Sequence, residues 1–579
     1  MNCAAVIARY LAAAGINHVF GYPGDPNVEL METLRTEGID FVLTRREGTA
    51  GLMAEAYGQI TGLPGVCMTT LGPGSSNLTN AVAGALLDRI PMLAISGQIE
   101  GKRQRTFTHQ VLNHDLMFGP ITKWTTDIRP DTVSQVMRKG IRTAMAERPG
   151  PVHITTPADV IGAEASDDEI LLPPLGLTGH GLSVYAADGR TDPMKIIAAA
   201  KKPMILAGIA AVRGGAGPEL TRLAETLGCP VIAAPMAKGI VNETHPYFAG
   251  TLDMACNDYM WDFLGAADLI LAIGFDAVEL IKPWAPTAPV IHIDMTPNTD
   301  QIYPASIELV GPIAATLAML SEGLSDGLDG NPRWAEADIK RHRDGLFEAF
   351  YAGRVPGKLN PTDVIDVVRE AMPLDAVVTS DVGSHKLLVG QGWTTHAPKG
   401  VLMTNGLSSM GYSLPAAMTA RLIDRTRPVV CFTGDGGLAM VQGELRLASS
   451  LGLDFTVVVF CDNSLNRIEL KQMARQYPSW GTLIEPTDIV MLAESSLSFL
   501  GIGIQPPEIT WGLMVAQGRN YLSQAWWLVY LPGLAIMMVT LSGNILSNWL
   551  RVVSDPEQRW RLEDSRPQTQ GETSGRNDA

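Results

Sequence analysis

An aspartate set between glycines, Gly434-Asp435-Gly436, directly follows the apolar run 428–433. A second aspartate, Asp462, closes the apolar run 454–461 and is followed by Asn463 and Ser464. If the two runs are neighbouring strands of a parallel sheet, their ends share one edge and Asp435 and Asp462 converge. Two carboxylates and a backbone carbonyl make a hard-oxygen site suited to Mg2+, with phosphate oxygens completing its octahedral shell. Gly434 and Gly436 allow a tight turn and close approach to a ligand. A helix starting there would aim its free N–H groups and positive dipole end at that phosphate. Taken alone, the triplet is also an ordinary structural turn.

Three further runs carry groups of the same kind. Glu47, after the apolar run 40–45, is a solvated loop carboxylate or, in an apolar pocket with a raised pKa, a proton-transfer group. Asp381-Val382-Gly383-Ser384-His385 closes another apolar run. Met410 lies in Asn405-Gly406-Leu407-Ser408-Ser409-Met410-Gly411 and, read alone, is a core methionine.

These residues need a frame. Apolar strands alternate with helical stretches in three blocks, the pattern of parallel sheets covered on both faces. The expected fold is therefore α/β with three doubly wound parallel-sheet domains. The first covers residues 1–160, with strands near 18–23, 40–45, 65–70, 91–97 and 151–157. Residues 161–190 read as a linker rich in Pro, Gly and acidic residues. The central block covers 191–325, with strands near 203–208, 230–235, 268–274 and 289–294. The third covers 355–493, with strands near 376–381, 428–435 and 454–462.

A chain of 579 residues exceeds one core. With 44 basic against 60 acidic side chains its net charge is −16, which argues against a nucleic-acid surface. The six cysteines are scattered without a CxxC pair or His/Cys cluster, so neither zinc nor a disulfide framework is expected. The N-terminus reads as an amphipathic helix leading into a strand, not a signal peptide, which places residues 1–490 in the cytoplasm.

The Gly-Asp-Gly run and its paired polar strand end resemble the diphosphate-binding motif of thiamine-diphosphate enzymes. The stretch from Glu47 through Gly72-Pro73-Gly74 and Asn77 resembles the acetolactate-synthase-like branch. The resemblance implies thiamine diphosphate and Mg2+ as cofactors, with Asp435, Asp462 and the Ser464 carbonyl on the metal. Cys461-Asp462 stands where the family usually has Asn-Asn, and Asn463 is the alternative ligand. It implies that Glu47 contacts the pyrimidine ring and promotes proton removal from the thiazolium. Pro23, Gly24, Gly72, Asn77, Ser384, His385, Gly406, Met410, Gly434 and Gly436 would line the cofactor, with Met410 wedged beneath its two rings. Gln110 would serve catalysis beside the substrate; His109 and His114 depart from the family pattern. Gly274-Phe275-Asp276-Ala277 differs from the run typical of flavin-containing members, so FAD is not expected. The implied reaction is decarboxylation and carboligation of a 2-oxo acid such as pyruvate, in a homodimer or homotetramer whose first domain faces the third domain of another subunit. Simple 2-oxo acid decarboxylation and acyl-phosphate formation remain alternatives.

The tail, 494–579, reads differently. Residues 520–550 carry no charge, and 525–549 suffices at about 1.5 Å per residue to cross a hydrocarbon core of about 30 Å. Trp526, Trp527, Tyr530 and Trp549 lie near its ends, as interfacial aromatics do. The tail resembles the end of an ABC-class peptide-transport permease. That resemblance implies a truncated third domain joined at Ala493-Glu494, possible membrane association through one transmembrane helix, and an inactive fusion or transport component as a further alternative.

Overall fold

Three mainly parallel sheets build the frame of this computed structural model, which describes residues 1–173, 181–186, 191–325, 332–484, 514 and 525–554. The first sheet contains β1 (His18–Tyr22), β2 (Asp40–Leu43), β3 (Gly65–Thr69), β4 (Met92–Gln98), β5 (Trp124–Asp127) and β6 (Pro151–Pro157) in the order β2-β1-β3-β4-β6-β5. All its pairings are parallel. β3, β4 and β6 are buried at every position, because helices cover both faces and leave no side for polar alternation.

The second sheet holds β7 (Ser183–Ala186), β8 (Pro203–Ala207), β9 (Val231–Ala233), β10 (Phe248–Thr251), β11 (Leu269–Ile273), β12 (Val290–Asp294) and β13 (Ile307–Val310). Its order is β10-β9-β8-β11-β12-β13-β7. Only β7 runs antiparallel, against β13. This corrects the reading of 161–190 as a bare linker: the edge of β13 would otherwise leave backbone N–H and C=O groups unpaired, and four linker residues fill it.

The third sheet is β14 (Val377–Ser380), β15 (Val401–Leu402), β16 (Val429–Gly434) and β17 (Thr456–Phe460), ordered β15-β14-β16-β17 and parallel throughout. The helix before it, Pro361–Ala371, starts with a capping box between Asn360 and Asp363. Trp393 and Phe432 pack edge to face at 5.9 Å in its core.

Strand order fixes where ligands can enter. It reverses between β1 and β3 in the first sheet and between β14 and β16 in the third. Crevices open beyond the carboxyl ends of strands at such reversals, so residues after Tyr22, Thr69, Ser380 and Gly434 line them.

The chain divides into the units Met1–Asp462 and Asn463–Ala579. The second contains the helix Asn466–Ala474 and an isolated bridge between Ser464 and Leu483. It also contains the helix Trp527–Ser554. The expected transmembrane span over 525–549 is corrected: among the described residues no helix is long and apolar enough to cross a membrane. Pro532 sits inside that helix. Most of 494–524 and the residues after 554 lie outside the described residues.

Candidate active site

In the first domain, β2 leads through Thr44, buried and bonded to the Arg46 carbonyl (3.0 Å), into the helix Glu47–Thr61. Glu47 is its first residue and is 9% exposed. Its Oε2 accepts an N–H from Asn77 Nδ2 at 3.1 Å. Asn77 belongs to the helix Pro73–Leu87, which starts just after β3 with Gly72 at φ +58°. A Cβ on Gly72 would lie 2.8 Å from the Gln110 Cβ, so only glycine lets Gln110 sit there; Gln110 itself is at φ +59°. Gly24, just beyond β1 and Pro23, packs so tightly on Thr70 that a Cβ would fall 2.2 Å from its hydroxyl. Glu47, Asn77, Gly72, Gln110 and Gly24 thus gather around the first reversal of strand order.

Of the two histidines that depart from the family pattern, His109 is exposed. His114 is buried, with Nδ1 3.0 Å from the Thr155 hydroxyl; burial draws its pKa down to about 4.

The third domain supplies the second group. Asp381, wholly buried after β14, accepts N–H groups from Val382 (2.8 Å) and Gly411 (2.9 Å) and the Thr433 hydroxyl (3.0 Å). Burial raises its pKa against those bonds. It ties β14, β16 and the loop carrying Met410 together, a role the sequence did not reveal. Ser384 opens the helix Ser384–Gly392, and His385 comes next, 7% exposed and stacked on Phe460 at 5.6 Å. Burial lowers the His385 pKa to about 4, so its imidazole is neutral. Its Nε2 is buried and has no hydrogen-bond partner among the described residues.

Strand register sets the two aspartates just beyond neighbouring strand ends. Gly434 pairs with Phe460, so Asp435 and Cys461 continue from paired strand ends. The charges of both Asp435 and Asp462 help burial raise the Cys461 thiol pKa. Asp435 begins the helix Asp435–Val441 and also accepts the Gly436 N–H at 2.8 Å. The glycine requirement differs in detail from the expectation. Gly434 has an ordinary φ of −91° and Gly436 is helical, whereas a side chain on Gly437 would meet Asp381. Gly434 does make a close approach, with its absent Cβ 3.3 Å from the His385 ring.

Other expected residues are placed less directly. The Gly406 N–H is committed to Asp88 of the first domain. Met410 is half-buried. Ser464 belongs to the second unit, where its hydroxyl donates to Glu469. Asn463, at φ +56°, accepts the Ile484 N–H through its carbonyl. Among the described residues no cluster of three or more His, Cys, Asp or Glu could hold a metal by itself. A cation on Asp435 and Asp462 therefore needs oxygens from elsewhere, as a diphosphate supplies. The close approach of Gly383 and Gly434 to the His385 ring and its unpaired buried nitrogen also fit a diphosphate-bearing cofactor. In the central domain, Asp276 is paired with Arg89 (2.8 Å) and Arg148 (3.5 Å).

Family models for thiamine pyrophosphate enzymes match this chain in succession. The N-terminal TPP binding domain matches residues 1–117, the central domain 192–320 and the C-terminal TPP binding domain 381–504. The catabolic acetolactate synthase of Raoultella terrigena is 30% identical over 498 residues, covering 85% of this chain and 88% of its own. Acetolactate synthase isozyme 3 large subunit of Escherichia coli is 29% identical over 525 residues, covering 88% and 90%. A Pseudomonas aeruginosa protein named "Probable 2-ketoarginine decarboxylase AruI" is 29% identical over 517 residues, covering 87% and 89%. The third match runs to residue 504, which corrects the truncation expected at residue 493. The first tail residues, 494–504, lie inside the matched domain, so the match gives no support to a junction at Ala493-Glu494.

Proposed function

Because the chain belongs to the thiamine pyrophosphate enzyme family and is a thiamine-diphosphate-dependent enzyme of the lyase or transferase type, we propose that it decarboxylates a 2-oxo acid and ligates the product to a second carbonyl, acting like an acetolactate synthase on pyruvate. The observation that carries this reading is Glu47: a nearly buried carboxylate at a helix start, oriented by Asn77 beside the Gly72–Gln110 contact.

When bound, the cofactor would supply an electron sink for the bond electrons left on the carbonyl carbon of the 2-oxo acid as carbon dioxide departs. Glu47 holds or releases a proton at the pyrimidine ring, with Asn77 fixing its Oε2. Gln110, on the exposed lip beside Gly72, orients the 2-oxo acid. Ser384, His385, Gly434 and Gly436 hold the diphosphate, while Asp435 and Asp462 hold Mg2+. Pro23, Gly24 and Met410 bound the rings. The family resemblance supports a homodimer that sets one subunit's first domain, with Glu47, against another's third.

The test is direct. Purified protein with Mg2+ and thiamine diphosphate is given pyruvate, and the product is identified. Acetolactate supports the proposal. An aldehyde shifts it to simple decarboxylation, the second reading, which the similarity to the Pseudomonas protein favours. Failure to bind the cofactor removes both.

A further inference from the structure

Loop 404–410 runs from β15 toward the helix Ser413–Ile423 and, on the proposed function, bounds the cofactor's rings; the role of its neighbour Asp88 rests on that reading. Asp88 comes from the first domain, capping the helix Pro73–Leu87, and is 1% exposed. It accepts the Thr404 hydroxyl at 2.6 Å, the Asn405 N–H at 3.1 Å and the Gly406 N–H. We propose that Asp88 is the positioning residue of this loop: one carboxylate of the first domain fixes three consecutive residues of the third, and through them the place of Met410.

The surroundings leave the loop little freedom. A Cβ on Gly406 would lie 2.7 Å from the Leu87 Cβ and 2.8 Å from its carbonyl carbon, so the loop lies directly on the last turn of that helix. Lys386 Nζ donates to the Thr404 carbonyl (2.7 Å) and to Asn405 Oδ1 (2.9 Å). Asn405 Nδ2 donates to the Glu279 carbonyl of the central domain at 2.6 Å. Further along, Ser409 bonds Asn80 on the same first-domain helix at 3.1 Å. The three domains thus meet at Asn405, but only Asp88 takes donors from three successive residues.

Asp88 has a buried acidic neighbour, Glu55, on the helix that begins at Glu47. Two carboxyls in contact away from water share one proton. Burial first, then the charge of Asp88 and a hydrogen bond to it, raise the Glu55 pKa well above the ordinary range. Glu55 is thereby held in its protonated form, hydrogen-bonded to Asp88.

A residue that merely glues two domains together would lower stability without singling out the cofactor loop. Thiamine diphosphate with Mg2+ is therefore titrated into wild-type, Asp88→Asn and Thr404→Val proteins by fluorescence quenching. Amide hydrogen exchange over residues 404–411 is measured in the cofactor-free proteins. Asparagine keeps the size but has one acceptor oxygen for three donors, so cofactor affinity falls roughly tenfold or more. Thr404→Val removes a single donor at nearly constant volume and weakens affinity about threefold. In both, exchange accelerates at 404–411 and is unchanged in β14 and β16, while KM for the 2-oxo acid at saturating cofactor stays at the wild-type value. If Asp88→Asn fails to fold, Thr404→Val decides. If wild type binds the cofactor and the variants bind it as tightly, or exchange rises evenly across the domain, the positioning role is wrong and the functional reading survives. If wild type itself binds no thiamine diphosphate, both fall.

Discussion

The first-domain and third-domain groups use opposite means to present polar chemistry. Around Glu47 the working atoms belong to side chains: a carboxylate steadied by the Asn77 amide, with Gln110 on an exposed lip against Gly72. Around His385 the acidic side chain nearest the core, Asp381, is consumed in holding the scaffold, and what stays open is one imidazole nitrogen and glycine-lined backbone. A side-chain carboxylate suits moving a proton. A glycine-lined crevice at a helix start suits gripping an anion. The first group reads as the chemical half of a site and the third-domain group as its binding half.

That division is broken or upheld by variants that separate binding from turnover. Glu47→Gln should lower kcat by about a thousandfold, within the range of proton-transfer catalysis, while cofactor affinity measured by titration changes little; a matching loss of affinity would place Glu47 in the binding half. Asp435→Asn should do the reverse. It weakens Mg2+-dependent cofactor binding by roughly a hundredfold, as expected when a hard-oxygen cation loses one of two anionic ligands. Turnover at saturating Mg2+ and cofactor should recover to within a few-fold of wild type, and a collapse of kcat without a change in affinity would reject the assignment.

The buried imidazole gives a smaller and pH-dependent effect. The folded His385 pKa lies near 4 against 6.5 for an ordinary histidine. The unfolded chain therefore takes up a proton that the folded chain refuses as pH falls below about 6.5, and stability drops until about pH 4. By pH 5 this amounts to about 2 kcal/mol. His385→Asn in the cofactor-free protein should flatten the fall in unfolding free energy from urea titrations between pH 7 and 5 by that amount. Part of the slope persists, because burial also holds His114 and His342 near 4.

How much of the fold and site was legible in the sequence depends on how local each feature is. Asp435 and Asp462 could be brought together from two apolar runs alone, since parallel pairing of β16 with β17 leaves their ends at one edge. The resemblance set Gly72 and Gln110 each beside the cofactor, but their contact was not foreseen, because nothing in the residues between encodes it. β5, β7, β10, β13 and β15 were missed: strands of two to four residues carry too little periodicity to stand out. The Asp88 clamp on Thr404 spans 316 positions and joins two domains, so no window of sequence contains it. The tail misled for a physical reason too. The lack of charge over 520–550 suggests a span, whereas the helix formed there, Trp527–Ser554, is not long and apolar enough to cross a membrane.

Gly437 tests the last part of the comparison, whether the third-domain group depends on backbone closeness as well as on its carboxylates. It lies inside the helix Asp435–Val441, where alanine is intrinsically the better residue by about 1 kcal/mol. A Cβ there would nevertheless fall 2.3 Å from Asp381 Oδ2 and 3.2 Å from the Thr433 hydroxyl. Asp381 has little room to yield, because its oxygens already hold Gly411, Val382 and Thr433. Overpacking of this kind costs about 1–3 kcal/mol, so the helix-propensity gain is outweighed. Gly437→Ala should lower stability by about 1 kcal/mol net in urea unfolding and weaken cofactor affinity severalfold, since moving Asp381 moves the Met410 loop with it. Gly436→Ala, one residue earlier in the same helix, should leave stability within about 0.5 kcal/mol of wild type or raise it. Equal behaviour of the two alanine variants would mean that the close contact with Asp381 does not govern this half of the site.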